Sequence, residues 1–400
     1  MSERSLNILI VGGGIAGCSA AIALSQRGHA VRIVEKQDAW RFQSSGIFVY
    51  ANGLVSLDEL GLLDEILQAG FPVPAGRNAY FDHKGVPITD TFYPSADNGR
   101  IPAILGIKRA EMHRVMAQRV DALGVTVTLG TTVDAIRDEG DSVRAVLSDG
   151  TEETADLVIG ADGVRSAMRA LIGIGLEPRY TGFGVWRSVH RRPQALTDKI
   201  MMMGPGIRFG IMPISDDMLY TFGTLAEPKS RFYDPAGWPE HMRTKFADFS
   251  GPASLFLEEL GPDSQVLYTA VEEVGLELPW HRGRVVLIGD AAHASTPFMG
   301  QGGAMAMQDA VVLAEALALH ETLDGALDAF GKARLPVCQF VQGVSHAVGE
   351  AGAKELDGDL EARNADLRKT AQEKVDQFYG RLAELNAEAE TALRKGAASG

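Results

Sequence analysis

The sequence predicts an α/β protein in which a Rossmann-type dinucleotide-binding domain is interleaved with an antiparallel-sheet domain and followed by C-terminal helices. Three observations support this class. The first 35 or so residues run strand, helix, strand around a glycine-rich turn. Residues 178–280 form short alternating runs rich in proline, methionine and aromatic residues, which is typical of an antiparallel sheet that covers a pocket. After about residue 350 the chain is polar, charged and helical in pattern.

Composition excludes several classes of protein. The chain has 400 residues and a formal net charge of -14, so a basic surface for nucleic acid is not expected. Two cysteines cannot build a disulfide framework, which favours a reducing, cytoplasmic location. We find no apolar run of about 18 residues and therefore expect no membrane partner. The N-terminal apolar run continues into a glycine turn and is interpreted as a core strand rather than a signal peptide.

The N-terminal unit is the most regular part of the sequence. Residues 6–11 are a short apolar run, as in a buried parallel strand. Residues 15–27 are small and apolar on one face and end at Gly28, as in a helix. Residues 30–35 form the second strand. The later predicted elements are a helix over 54–69, strands and loops of another layer over 71–102, a helix over 106–125, paired strands with a turn at Asp149-Gly150, a strand over 284–288 and a long apolar helix from about 302.

The glycine-rich turn has the spacing G-x-G-x-x-G. Gly12 permits a tight turn, Gly14 lets the backbone approach a pyrophosphate, and Gly17 lets the helix pack on the strand. The free N–H groups of the helix N-terminus face the phosphates. Glu35 ends the second strand, where an acid accepts hydrogen bonds from ribose hydroxyls. An acid there suits NAD and the ADP half of FAD equally and disfavours a 2′-phosphate, so this loop leaves the dinucleotide open.

A second glycine-rich stretch, GDAAHASTPFMGQGG at residues 289–303, points to a flavin. Asp290 at a strand end can accept a hydrogen bond from a sugar-alcohol chain, and Pro297 gives a rigid wall. The glycines around Gln301 bare the backbone before a helix, whose N-terminus stabilises the negative charge of a reduced flavin. The alternative is a glycine-rich helix start without a ligand. Between the two stretches, Asp162-Gly163 in GADGVRS follows a strand and alone indicates only a turn.

Together these motifs resemble the signatures of the single-component flavin-dependent aromatic hydroxylases, which are the group A flavoprotein monooxygenases with the p-hydroxybenzoate hydroxylase fold. The matching residues are Gly12, Gly14, Gly17 and Glu35, then Asp162-Gly163, then Gly289-Asp290 with Pro297 and Gly300-Gln301-Gly302. The resemblance covers about residues 6–340. It implies tightly bound FAD rather than NAD, with NAD(P)H as a transient co-substrate and O2 as the oxidant. The lack of a second G-x-G-x-x-G agrees with transient NAD(P)H binding.

The resemblance also implies a domain plan and a set of cofactor residues. The plan is a discontinuous FAD-binding domain (1–75, 103–177 and 281–345), a substrate-binding sheet (76–102 and 178–280) and a C-terminal helical segment (346–400). Arg109 is expected near the FAD phosphates, Arg41 is a further cofactor contact, and the backbone of Val133 is expected beside the adenine. The expected cofactor-binding residues are Gly12, Gly14, Ile15, Ala16, Gly17, Glu35, Lys36, Arg41, Arg109, Val133, Asp162, Asp290, Gly300, Gly302 and Gly303.

The implied activity is hydroxylation of an aromatic or heteroaromatic small molecule through a flavin C4a-hydroperoxide. Pro297, Phe298 and Met299 are expected to line the flavin face, which must be shielded from water. Arg187, Arg208 and Tyr220 are substrate candidates, because either arginine can pair with a carboxylate or phenolate. We identify no catalytic base and expect no metal.

Three alternatives share these motifs. A flavin-dependent halogenase would carry a W-x-W-x-I-P motif, whereas Trp186 here stands in VWRSVH. An FAD-dependent reductase or dehydrogenase of the same fold would need a longer apolar channel. A non-catalytic FAD-binding sensor could keep the glycines while losing the shielded face. The sequence leaves open the substrate, the site of ring attack, NADH or NADPH, monomer or homodimer, and the role of the residues after about 350.

Overall fold

A computed structural model describes residues 5–40, 45–227, 233–355 and 359–398. Its strands are β1 (Asn7–Val11), β2 (Ala30–Glu35), β3 (Gly46–Tyr50), β4 (Phe71–Pro72), β5 (Arg77–Asp82), β6 (Pro87–Phe92), β7 (Ile104–Lys108), β8 (Thr126–Leu129), β9 (Val133–Asp138), β10 (Val143–Leu147), β11 (Glu152–Ala155), β12 (Leu157–Gly160), β13 (Arg179–Arg191), β14 (Lys199–Met203), β15 (Arg208–Pro213), β16 (Met218–Ala226), β17 (Val266–Glu273), β18 (His281–Arg282) and β19 (Val285–Leu287). Its α-helices are α1 (Ile15–Gln26), α2 (Ala51–Glu59), α3 (Leu63–Ala69), α4 (Arg109–Ala122), α5 (Ala167–Leu171), α6 (Trp238–Lys245), α7 (Pro252–Glu258), α8 (Asp290–His293), α9 (Gly302–Leu319), α10 (Leu323–Lys354) and α11 (Leu360–Ala398).

The first sheet has the strand order β18-β19-β12-β1-β2-β8 and is parallel except for β18. Its central strands are almost wholly apolar, because both faces of a parallel sheet are covered. The carboxyl ends of β1, β12 and β19 lie side by side at one edge. Gly12, Asp162 and Asp290 follow these three ends, so the motifs meet where open α/β sheets bind ligands. The predicted Rossmann-type unit is confirmed.

The second sheet has the order β17-β13-β16-β15-β14-β5-β6 and is antiparallel except for the pair β14 and β5. The strands of residues 77–92 therefore join those of the 178–280 segment in one sheet. One face packs on an aromatic cluster that includes Trp186, Phe209 and Phe246. The predicted antiparallel sheet is confirmed. Two three-stranded sheets, β11-β10-β9 and β3-β7-β4, complete the strand pairing of the described residues.

Two predicted helices differ from the structure. The helix expected over 54–69 is divided into α2 and α3, because Gly61 adopts a left-handed φ of +69° that ends the first helix. The helix expected over 106–125 begins only at Arg109, because the preceding residues pair with β3 and β4 as strand β7. Gly106 in β7 lies so close to the second sheet that a Cβ would be 1.8 Å from the Pro213 carbonyl oxygen. The hairpin turn at Asp149-Gly150 is confirmed.

The C-terminal helices pack around α9. By length and composition α9 (Gly302–Leu319) would be able to cross a membrane, so the expectation that no apolar run of this length occurs is wrong. Half of this helix is buried inside the fold, as in a core helix. It contacts α1, α2 and α10. The last helix, α11, runs along α10 and also reaches β6 at the edge of the second sheet. The predicted helical character of the chain after about residue 350 is confirmed.

Candidate functional site

A cavity of about 1340 Å³ lies between the carboxyl edge of the first sheet and one face of the second. Typical pockets for one small ligand enclose roughly 300–1,000 Å³. The cavity is lined by the glycine-rich turn, the loop before α9, β13 to β17, and by side chains of α10 and α11. Its size and its two-sided lining suit a dinucleotide together with a second, smaller molecule.

Two of the three glycines in the turn have no room for a side chain, whereas the third, the open position, faces empty space. Gly12 has φ +107°, and a Cβ there would lie 2.5 Å from the Ala161 carbonyl oxygen. A Cβ on Gly17 would lie only 1.9 Å from the carbonyl oxygen of Gly12. Gly14, in contrast, lines the cavity and has no heavy atom within 4 Å of an added Cβ. The outer glycines therefore build the turn, and the middle one leaves backbone exposed to a ligand.

Cationic groups surround this open backbone. Lys36 and Arg109 both line the cavity, and Ile15 and Ala16 begin α1 beside them. The first turn of α1 holds no acidic residue, so its N–H groups and dipole are free to attract an anion. Arg109 is fixed at the start of α4 by its backbone N–H, which donates to the Ser45 carbonyl oxygen at 2.9 Å. The arrangement fits a diphosphate.

Some predicted cofactor residues lie elsewhere. Glu35 does not line the cavity; its carboxylate accepts hydrogen bonds from the N–H groups of Gly13 (2.7 Å) and Gln37 (2.9 Å) and so ties the turn to the end of β2. Val133 is buried at the start of β9 and also lies outside the lining. Arg41 falls outside the described residues. The roles assigned to these three residues stay predictions.

Asp162 lines the cavity, but its carboxylate caps α5. It accepts hydrogen bonds from the hydroxyl of Ser166 (2.5 Å) and the backbone N–H of Met168 (3.0 Å). The nearby Arg165 is exposed and forms an ion pair with Glu272. Side-chain capping therefore accounts for much of the sequence motif, and cofactor contact by Asp162 stays a prediction.

The distal loop supplies the opposite wall of the cavity. Pro297, Phe298 and Met299 form a short 3-10 turn, and all three line the cavity. Gly300 follows with φ +64°, where a Cβ would lie 2.2 Å from the Phe48 ring. Gly302, Gly303 and Asp290 also line the cavity. Because Gly302 and Gly303 begin α9, the positive end of this long helix is directed at the cavity.

The three predicted substrate residues all line the cavity, in different environments. Arg208 already donates to Glu355 (2.7 Å) and to two backbone carbonyls, so its charge is compensated within the protein. Among the described residues Arg187 donates only to the hydroxyl of Thr269 (3.2 Å), and burial lowers its pKa to about 10. Tyr220 packs against Phe222. Of the two arginines, Arg187 is the better placed to meet an anionic group.

Sequence reasoning missed a polar wall made by β3, β5 and β14. Lys199, Tyr50 and Tyr80 line the cavity, together with Tyr93 from the loop after β6. A signal was present in the sequence, because strand alternation places Lys199 on the same face as the cavity-lining residues Met201 and Met203. A lysine at an inward position of an apolar strand calls for a specific environment.

Sequence reasoning also left undecided the apolar wall that α11 contributes. Its cavity-lining apolar side chains are Leu367, Ala371, Val375 and Phe378, and its polar side chains at the cavity are Lys374, Gln377, Tyr379 and Arg381. The helix is held over the cavity by Gln372, whose amide both accepts from and donates to the backbone of Phe92 (2.8 and 2.9 Å). The C-terminal segment is therefore part of the site.

Arg363 ties the start of α11 to the second sheet. It donates to Glu355 (2.9 Å) and to the carbonyl oxygens of Gly204 (2.9 Å) and Met203 (3.0 Å). We expect Arg363→Met to lower the free energy of unfolding by about 2 kcal/mol, since hydrogen bonds to charged groups are lost. Water should also reach the cavity more often, so a hydroxylase of the type that the motifs resemble should yield less hydroxylated product and more peroxide for the NAD(P)H consumed.

The matched control for this change is Arg368→Met on the same helix, where the exposed arginine pairs with exposed Glu361. The measurements are urea denaturation and the ratio of product to NAD(P)H consumed. Equal coupling in the two variants would contradict a closing role for the Arg363 contacts.

A buried ionic network joins α9 and α10 to the residues that precede the distal loop. Asp309 of α9 accepts from Nε2 of His293 (2.6 Å), the backbone N–H of Gly289 (2.8 Å) and Nε of Arg334 (2.7 Å). Cys338 lies beside them, and a donor atom from each of His293, Asp309 and Cys338 falls within 4.8 Å of the others. Because Arg334 already neutralises the carboxylate, we interpret the cluster as a structural ion pair rather than a cation site.

Comparison with known proteins agrees with this geometry. The model of a family described as FAD binding domain matches residues 5–343. The chain belongs to this FAD-binding family. This flavoprotein is 32% identical over 377 residues to the aurachin C monooxygenase/isomerase of Stigmatella aurantiaca, covering 94% of this chain and 97% of that one. It is also 32% identical over 382 residues to the 2-heptyl-3-hydroxy-4(1H)-quinolone synthase of Pseudomonas aeruginosa, with the same coverage.

Solved structures of FAD-binding hydroxylases share the fold. The flavoprotein superposes on Klebsiella pneumoniae HpxO complexed with FAD and uric acid with a TM-score of 0.84, at 26% identity and 98% coverage of both chains. It is an FAD-dependent monooxygenase of the single-component aromatic hydroxylase type that acts on a small molecule, as predicted. The open position at Gly14, the adjacent cations and the helix N-termini fit FAD.

Proposed function

We propose that this monooxygenase hydroxylates a heteroaromatic ring that carries an apolar substituent, of the 4-quinolone class. The observation that supports this proposal most strongly is that two walls of the cavity differ in polarity. Lys199 and the tyrosines of the second sheet offer a polar surface for a ring with hydrogen-bonding groups. The side chains of α11 offer an apolar surface for an alkyl chain. Relatives named for aurachin C and for 2-heptyl-3-hydroxy-4(1H)-quinolone, which share nearly the whole chain, support this class.

The protein's own residues position and shield this reaction. FAD, once reduced by NAD(P)H, supplies the activation of O2 and the transfer of one oxygen atom. Pro297 and Phe298 wall the cavity on the distal-loop side, and the ring of Phe298 is fixed edge-on against Phe183 at 5.1 Å. The packing of α11 closes the other side. Together these contacts exclude water from the reacting atoms.

The remaining features of the proposal follow from the chain as a whole. NAD(P)H binds transiently, since the first sheet carries one glycine-rich dinucleotide turn. The protein works as a monomer or homodimer in the cytoplasm, a location supported by its two buried, unpaired cysteines. The domain plan of an FAD-binding unit interrupted by a substrate-binding sheet is supported by the two-sheet architecture.

The test compares substrates at fixed enzyme concentration. Purified holoenzyme is mixed with NADH or NADPH and a series of 2-alkyl-4-quinolones, with salicylate and urate as comparison substrates. We expect quinolones to stimulate NAD(P)H oxidation and to gain one oxygen atom by mass spectrometry. KM should fall about fourfold for each methylene buried against α11. Hydroxylation of urate or salicylate with no response to quinolones would overturn the proposed substrate class.

A further inference from the structure

Lys199 is a buried lysine directed at the cavity. It is 3% exposed, at the start of β14, and it lines the cavity. Its Nζ donates to the hydroxyl of Tyr50 at 2.8 Å. The same atom lies over the rings of Phe48 (4.6 Å), Tyr50 (5.3 Å) and Tyr93 (5.3 Å). The amine is therefore held at one point by a hydrogen bond and by three aromatic faces.

No acidic side chain balances this amine within the described part of the chain. The adjacent Asp198 pairs instead with Arg77. Arg208, on the neighbouring strand, pairs with Glu355. The groups that face Lys199 from β3 and the β6 loop are the hydroxyls of Tyr50 and Tyr93, and burial, followed by neighbouring tyrosines, raises both their pKa values. Burial lowers the pKa of Lys199 to about 7, because no anion offsets the loss of hydration.

The strands beside Lys199 add further polar groups. In the sheet register Lys199 lies opposite Asn78 of β5, which in turn lies opposite Thr91 of β6. Both are fully buried and neither lines the cavity, whereas the hydroxyl of Tyr80, which does line it, is close to both. Buried polar groups are costly unless partnered, so these two residues and Tyr80 make the surroundings of the amine polar without supplying an anion.

We propose that Lys199 is the catalytic base that removes the acidic ring proton of the substrate and then holds the resulting anion as an ion pair. This rests on the proposed function. The O–H or ring N–H bond of the substrate breaks, a new N–H bond forms on Nζ, and the electron pair stays on the ring. No oxidation or reduction occurs in this step. Tyr50 is the positioning residue, because its hydroxyl fixes the amine in the wall.

The step serves the established reaction because an anionic ring is richer in electrons and therefore more reactive toward an electrophilic oxygen. A base works best when its affinity for protons is matched to the working pH. The ammonium formed on Lys199 is then stabilised twice, by the substrate anion and by the faces of the three aromatic rings. A lysine that served only to pack β14 would not need the open cavity in front of it.

The first test is a variant series measured in holoenzyme. The variants are Lys199→Met, Lys199→Arg and the surface control Lys332→Met, whose lysine is 65% exposed. With 2-heptyl-4-quinolone, we expect Lys199→Met to lower hydroxylation about 10²- to 10⁴-fold at neutral pH, and activity to recover as pH rises and free substrate ionises. FAD content should equal that of the control. An unchanged rate and pH profile in Lys199→Met would overturn the assignment.

The second test reports whether the bound ligand is neutral or anionic, and it does not depend on turnover. Holoenzyme is titrated with 4-nitrophenol, whose neutral and anionic forms absorb differently, and difference spectra are recorded at about pH 6. Wild type should bind the anion, whereas Lys199→Met should bind the neutral phenol. Lys199→Arg keeps the charge but cannot accept a proton. It should therefore bind the anion of 4-nitrophenol, which ionises readily in water, but hydroxylate the much less acidic quinolone poorly.

The two tests separate the two proposals. Anion binding that requires Lys199, combined with no quinolone hydroxylation by wild type, would overturn the substrate class and retain the role of Lys199. Quinolone hydroxylation by wild type and Lys199→Met alike, with the phenol bound in the same form by both, would retain the substrate class and overturn the role of Lys199.

Discussion

Replacing Gly17 by alanine is expected to yield protein that purifies without FAD. The added Cβ would lie 1.9 Å from the carbonyl oxygen of Gly12, so the turn and the first helix cannot keep their packing. Backbone cannot move aside as a flexible side chain can, and loss of the turn removes the N–H groups that face the diphosphate. Flavin absorbance per protein and circular dichroism of the purified variant are the measurements.

Gly14→Ala and Gly343→Ala distinguish a loss of FAD caused by a changed fold from one caused by a methyl group in the cavity. A Cβ on either residue meets no heavy atom within 4 Å, but Gly14 lines the cavity, whereas Gly343 is an exposed position in α10. We expect Gly14→Ala to fold normally and to bind FAD about tenfold more weakly. The added methyl group would occupy the space in which the FAD diphosphate approaches the protein backbone. Gly343→Ala should bind FAD like wild type. Full FAD occupancy in Gly17→Ala would refute the structural role assigned to that glycine.

Replacing Asp309 by alanine is expected to lower the free energy of unfolding by about 3–5 kcal/mol. The change leaves the fully buried Arg334 without its carboxylate and frees the backbone N–H of Gly289. Urea denaturation of wild type, Asp309→Ala and the exposed-site control Asp366→Ala gives the comparison. Asp366 pairs with Lys374 at the surface, where an ion pair contributes at most about 1 kcal/mol. Equal denaturation midpoints for the two variants would show that the buried network is not stabilising.

The contribution of this network should depend on pH in a defined direction. Burial alone would lower the pKa of His293, but the Asp309 carboxylate outweighs it and raises the value well above 6.5. That contribution is fully present below about pH 6.5 and is lost as the pH rises through the raised value. Burial alone would raise the pKa of Asp309, but His293 and Arg334 hold it below 3.8.

The carboxylate's contribution is accordingly present above about pH 3.8 and is lost as the pH falls through the lowered value. The stability difference between wild type and Asp309→Ala should therefore be greatest between about pH 4 and pH 6.5 and narrower in strongly alkaline buffer. If the stability difference between wild type and Asp309→Ala instead grew as the pH rose from about 6.5 into the alkaline range, the charged form assigned to His293 would be contradicted.

The parts of the fold that sequence predicted well are those determined by local pattern. The unit from β1 to β2 is specified by adjacent apolar runs and by glycine spacing, and its boundaries agree to within one or two residues. The distal loop at Pro297 is likewise a contiguous motif. In contrast, the sequence pattern places residues 106–108 in a helix, whereas they end strand β7. Its strand partners β3 and β4 are distant in sequence, and local propensity does not reveal them.

The parts of the site that sequence missed are assembled from distant segments. Lys199 acquires its environment from Tyr50, which is 149 residues away in the chain. The cavity wall on α11 depends on contacts between Gln372 and Phe92, separated by 280 residues. Arg208 lines the cavity, and its predicted contact with the substrate stays a prediction; its pairing with Glu355 could not be inferred from the sequence. Burial and charge compensation are properties of the tertiary structure.

Because α11 lies at the end of the chain, the residues that we propose for FAD binding and those that we propose for substrate selection lie in separate parts of the sequence. The turn, the loop before α9 and Arg109, all of which precede residue 310, line the part of the cavity that we propose for FAD, whereas Leu367, Ala371, Val375 and Phe378 line the part that we propose for the apolar group of the substrate. Changes on the inner face of one helix can therefore retune which molecules are accepted while the redox machinery stays intact. Helix exchange between relatives is accordingly a practical route to altered selectivity, and random mutagenesis confined to that face is an efficient library.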